Sequence, residues 1–125
     1  MDNRGSKPRT GVAKIEGRKD PRFLLNLPLE YSLVNSEDNH AGYTFNASEG
    51  GLMVNLPERL GVGQSLKMKL FFSFGPDINT IEILSRVVWT DQSEKDGSYR
   101  SGLKFVEITS EDKGRLGSFL HKLTA

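Results

Sequence analysis

From Phe23 to Ile108 apolar and polar positions alternate with a period of two, the pattern of strands that bury one face. Leu25, Leu27, Leu29, Tyr31 and Leu33 alternate with Asn26, Pro28, Glu30 and Ser32 and predict a first strand. Pro28 has no N–H to give to a ladder, so an open edge or a bulge is expected there. After the polar stretch Asn35 to Asn39, a second strand is expected over about residues 41–47. The Glu49-Gly50-Gly51 turn leads to a third strand with Leu52, Val54 and Leu56 on one face. Beyond a loop from Pro57 to Gly63, Leu66, Met68, Leu70 and Phe72 alternate with Lys67, Lys69 and Ser73 in a fourth. The Gly75-Pro76-Asp77 turn precedes a long fifth strand, about 79–90, with Ile81, Ile83, Val87 and Trp89 assigned to one face. A polar hairpin loop, Asp91 to Gly97, connects it to a sixth over about 98–108.

The period then changes. Leu116, Phe119, Leu120 and Leu123 recur at helical spacing behind a Thr109 or Ser110 cap, and Glu111 and Asp112 suit the positive end of the helix dipole. Gly114 and Gly117 weaken that helix, which must therefore dock on the sheet to be stable. The fold class expected is all-β with a C-terminal helix: a small six-stranded antiparallel β-barrel packed by one α-helix.

Residues 1–17 show no hydrophobic period and are rich in Gly, Pro and basic side chains, which predicts a flexible basic N-terminal arm ahead of a barrel domain over 18–125. The net charge of +1 conceals an asymmetry: residues 1–22 carry seven basic side chains and three acids, a balance of +4, leaving −3 for the rest. A basic arm on a mildly acidic body points to a local anion and argues against broad coating of nucleic acid. There are no cysteines, which removes disulfides, thiolate metal sites and cysteine nucleophiles. No apolar stretch is long enough to cross a membrane and none resembles a signal-peptide core, so a cytoplasmic protein without membrane insertion is expected.

Two short patterns concentrate chemistry. Arg18 and Arg22 form an RxxxR spacing at the junction of arm and barrel, and Asn46, Ser48 and Gly51 form an NxSxxG spacing that begins 24 residues after Arg22. Guanidinium groups pair bidentately with phosphate and stack on flat rings. Asn and Ser supply neutral donors and acceptors, and glycine permits close backbone approach. Taken singly, each has an ordinary reading as a solvated basic patch or an Asx turn. Catalytic readings fail: His40 is expected in a turn and His121 on the helix, no GxSxG surrounds Ser48, and Gly61-x-Gly63 lacks a strand–glycine–helix context. No catalytic residue and no metal site is therefore expected, and the chain reads as a non-enzyme.

Jointly, RxxxR followed by [D/N]xSxxG resembles the motif of the PilZ domain, the bacterial module that senses the second messenger cyclic di-GMP, over about residues 18–124. Phe23, the string Arg86-Val87-Val88-Trp89 and the string Tyr99 to Phe105 ahead of the helix are also similar to that family. Gly17 departs from it, standing where many members have a basic residue, and Lys19 can substitute. The resemblance implies a cyclic di-GMP-binding receptor or adaptor whose arginine arm becomes ordered on the ligand and signals to a protein effector in motility, adhesion or polysaccharide machinery. It implies Arg18 and Arg22 on phosphate and guanine, Asn46 and Ser48 on a guanine edge, Gly51 at the turn, and Trp89 as a rim residue able to shield a base. No cofactor other than that ligand is implied. The competing reading is a ligand-independent protein–protein module on the same fold.

Overall fold

The computed structural model describes residues 14–15, 22–91, 93–94 and 96–123. Its strands are β1 (Lys14–Ile15), β2 (Arg22–Leu24), β3 (Pro28–Leu33), β4 (His40–Ala47), β5 (Gly51–Leu56), β6 (Ser65–Phe74), β7 (Asp77–Thr90) and β8 (Tyr99–Ile108), followed by the helix α1 (Ser110–Leu123). The strands pair antiparallel in the order β1-β2-β4-β3-β6-β7-β8-β5, and a further β4–β5 pairing closes β3 to β8 into a six-stranded barrel. The short ribbon of β1 and β2 attaches to the second half of β4. The barrel and the single C-terminal helix are those the alternation predicts.

Inward positions fill the barrel. Leu29, Tyr31, Leu52, Val54, Leu56, Leu66, Met68, Leu70, Phe72, Ile81, Ile83, Val87 and Leu103 are buried. Lys67 and Lys69, on the opposite face of β6, are exposed. The β6–β7 hairpin turns through Gly75 and Pro76, with Gly75 at φ 68°, a left-handed conformation that glycine takes without steric cost. Tyr31 donates its hydroxyl to Glu58 Oε1 at 2.9 Å. Burial, then this bond and the Glu58 charge, hold its pKa well above the usual phenol range.

α1 covers one end of the barrel with Leu116, Phe119 and Leu120, and Phe119 stacks on Phe72 with ring centroids 4.5 Å apart. Thr109 Oγ1 accepts the Asp112 N–H at 3.1 Å and caps the helix. Arg115 ties the first turns to β7: it donates to Asp112 at 2.9 Å and to Asn79 Oδ1 at 3.0 Å, while Asp112 accepts the Glu82 N–H. These contacts supply the docking that a helix with two internal glycines requires.

Three local expectations are corrected. The first predicted strand is interrupted at Leu25 to Leu27. Pro28 heads β3, paired to Tyr43 of β4 and not included in the pairing with β6, so the position is open on one side as its missing N–H requires, without a bulge. Buried Thr44 fills the break: its hydroxyl accepts the Leu27 N–H at 2.8 Å and donates to the Leu25 carbonyl at 2.7 Å. His40 lies in no turn; it opens β4, 5.2 Å from the Tyr31 ring centroid. Trp89 does not share the core face of β7, because the register shifts between Val87 and Trp89.

Candidate ligand-binding face

Two irregularities build the site. On β4 the pairing passes from Thr44↔Val54 to Asn46↔Met53, leaving Phe45 as the extra residue, and on β7 it passes from Val87↔Leu103 to Trp89↔Gly102, leaving Val88. An extra residue moves every subsequent side chain to the other face. Thr44 and Val87 therefore point into the barrel, whereas Asn46 and Trp89 lie on its outside.

The result is one row of directly paired positions, Asn46–Met53–Gly102–Trp89, running across β4, β5, β8 and β7. Three strand spacings make it about 14 Å wide. Gly102 is the floor of its far end. A Cβ there would fall on the Trp89 indole, 2.6 Å from Cδ1, so only a glycine lets the ring lie across β8. Trp89 remains 39% exposed. Gly102→Ala is accordingly expected to lift the indole into water, read as a red shift of the emission of this single tryptophan with the fold retained by circular dichroism. Unchanged emission would mean that the ring does not rest there.

At the near end, the Asn46 amide donates to Met53 Sδ at 3.5 Å, and Asn46 is only 2% exposed. Ser48, 1% exposed, organises the turn: its hydroxyl accepts the N–H groups of Gly50 and Gly51, each at 3.2 Å, and its own N–H reaches the Gly51 carbonyl at 2.9 Å. The Gly50 carbonyl accepts the Phe105 N–H at 3.0 Å, pinning the turn to β8. Gly51 is required by close approach, since a Cβ would collide with the carbonyl oxygen of Leu103. Ser48 and Gly51 thus shape the turn, and Asn46 presents its amide under the Met53 thioether.

Phe23 pairs with Ala47 and Leu24 with Asn46, so the backbone of Arg22 comes alongside Ser48. Arg22, the second arginine of the pattern, and the NxSxxG turn, far apart in sequence, meet here through main-chain pairing. Arg18 lies outside the described residues. Next to the row, Arg100 covers the Phe45 ring at 3.9 Å from its centroid and donates to Asn55 Oδ1 at 3.3 Å, while Tyr43, paired with Asn55, is exposed. Met53, Gly102, Phe45 and Arg100 were not singled out by chemistry in the sequence. The outward parity of Arg100, between Tyr99 and the buried Ser101, was the available signal for it. An arginine on a flat ring beside an amide, a tryptophan and a glycine-floored strip suits a ligand with phosphates and planar bases. Among the described residues no group of acidic and histidine side chains could hold a metal, and no helix is long and apolar enough to cross a membrane.

Residues 16–122 match the PilZ domain. No curated protein matches the sequence. Among solved structures, the Bacillus subtilis inhibitor of motility, MotI/DgrA, is similar with a TM-score of 0.74 and 21% identity over 93% of this chain, which spans 55% of that protein. The PilZ domain of YcgR from Escherichia coli, solved with c-di-GMP, superposes with a TM-score of 0.65 at 11% identity, covering 85% of this chain and 90% of that one. The Klebsiella MrkH–c-di-GMP complex gives 0.65 at 20% identity, covering 87% and 52%.

Proposed function

Since the chain belongs to the PilZ-domain family, we propose that it is a cyclic di-GMP receptor domain, whose arginine arm becomes ordered over the ligand and alters the surface offered to a protein effector. The observation that supports this reading is the pairing of β2 with β4, which brings the backbone of Arg22 alongside the NxSxxG turn, next to a face able to take a flat, doubly charged ligand. Two similar domains have been solved with c-di-GMP, which supports the same ligand here. Arg18 and Arg22 take phosphate and guanine. The Asn46 amide reads a guanine edge once the flexible Met53 side chain swings aside. Ser48 and Gly51 hold the turn, and Trp89 walls the far end of the strip. The chain acts by binding, in the cytoplasm, and passes the signal on through the change from a free arm to an ordered one.

Calorimetric titration with cyclic di-GMP is expected to give a Kd of about micromolar or tighter, roughly −8 kcal/mol, with GTP much weaker. Absence of binding would favour the ligand-independent protein–protein module, and equal competition by GTP would reduce the site to simple charge attraction. Backbone relaxation should show the segment around Arg18 to Arg22 losing fast motion when ligand is added. A segment equally rigid with and without ligand would contradict the switch while leaving binding intact.

A further inference from the structure

The turn that carries Ser48 has a second neighbour. Glu49, its next residue, lays its carboxylate against α1 at Gly117, where an added Cβ would stand 3.2 Å from Oε2 and 3.4 Å from Cδ. The groove between them is lined by Ser110, Lys113, Gly114, Gly117, Ser118 and His121. Residues 113, 117 and 121 follow one another at helical spacing, so the carboxylate lies along one stripe of the helix with cationic or titratable side chains at either end. Gly50 accepts from Phe105 of β8, and on its other side the same turn leads to the ligand face, since Ser48 comes directly after β4, next to the backbone of Arg22. A single residue therefore touches α1 while belonging to the turn that the proposed ligand would contact.

This contact solves an electrostatic problem. An anionic ligand held by Arg18 and Arg22 beside Ser48 would meet the Glu49 charge one residue away, and like charges at short range oppose binding. Glycine at position 117 leaves the space in which that carboxylate rests on the helix. The first turns of α1 are tied to β7 by Arg115 and Asp112, whereas Glu49 meets the helix further along, near Leu116 and Leu120.

We propose that Glu49, seated on Gly117, couples the ligand turn to α1, so that occupancy of the dinucleotide site and the seating of the helix on the barrel control one another. The proposal rests on the receptor reading above. Its consequence is reciprocal, as any coupling between two equilibria must be: what loosens the Glu49 seat weakens the ligand, and the ligand firms the helix. Gly117 is a positioning residue in this scheme, acting through Glu49 and not on the ligand. An alanine methyl at 117 pushes the carboxylate back toward the turn, although alanine favours the helix itself.

The test is a double-mutant cycle on the full chain, with cyclic di-GMP titrated calorimetrically into the wild type, Glu49→Ala, Gly117→Ala and the double variant. Gly117→Ala is expected to weaken binding about fivefold in the wild-type background and to leave affinity unchanged in the Glu49→Ala background. Hydrogen exchange read on the same proteins should show ligand slowing the amides of 116–121 several-fold in the wild type and not in Glu49→Ala. If the wild type itself binds no ligand, the receptor reading fails and takes the coupling with it. If the wild type binds but Gly117→Ala acts equally in both backgrounds, or not at all, only the coupling is overturned. Ligand-dependent protection of α1 that survives Glu49→Ala overturns it as well.

Discussion

Under the proposed receptor role, Arg22→Ala is expected to weaken cyclic di-GMP binding about thirtyfold, a loss of roughly 2 kcal/mol, while the domain stays folded. The magnitude comes from removing one member of a charge-assisted pair with phosphate or guanine. Indifference of the fold comes from position. Arg22 begins β2, which adds to the barrel by pairing with β4 but is none of its six closed strands. Its truncation should therefore change unfolding free energy by no more than about 0.5 kcal/mol. Titration gives the first number and chemical denaturation the second. An unchanged Kd would mean that the arginine is incidental to the ligand. Unfolding would mean that it belongs to the scaffold.

The contrast between Arg22 and its surroundings also shows what a one-dimensional pattern conveys. The six barrel strands and α1 were legible because each buries one face, and burial imposes a period. The RxxxR and NxSxxG spacings were legible because few other chemistries use those residue types together. The hidden features depend on single extra residues. Phe45 and Val88 are ordinary strand formers with nothing in their composition to mark a bulge, yet each reverses the facing of the residues beyond it. Strict alternation consequently puts Trp89 in the core with Val87, when it lies outside on Gly102. The gap at Leu25 to Leu27 was hidden for a related reason: the partner that makes it tolerable is the Thr44 hydroxyl, 17 residues from Leu27. The contact of Glu49 with Gly117 spans a still longer stretch of chain, and no local period encodes it.

Leu103→Ala should produce the opposite pattern from Arg22→Ala, a loss of about 2–5 kcal/mol of stability with the ligand chemistry untouched. Leu103 is 2% exposed and lies between β5 and β7, paired with Leu52 on one side and Val87 on the other. Both partners are themselves buried, so the removed methyl groups leave a cavity that the closed barrel can relax into only slightly. The neighbouring turn limits relaxation further, because the Leu103 carbonyl already approaches Gly51 as closely as a glycine allows. Denaturant titration should show the midpoint falling at unchanged slope, as expected when stability changes without a change in the surface exposed on unfolding. The fraction that remains folded keeps Arg22, Asn46 and the Ser48 turn, and should bind cyclic di-GMP within about a factor of two of the wild type once corrected for the unfolded population. A variant that keeps its full stability would remove Leu103 from the core. One that stays folded yet loses the ligand would show that the face depends on β8 packing as directly as on its own side chains.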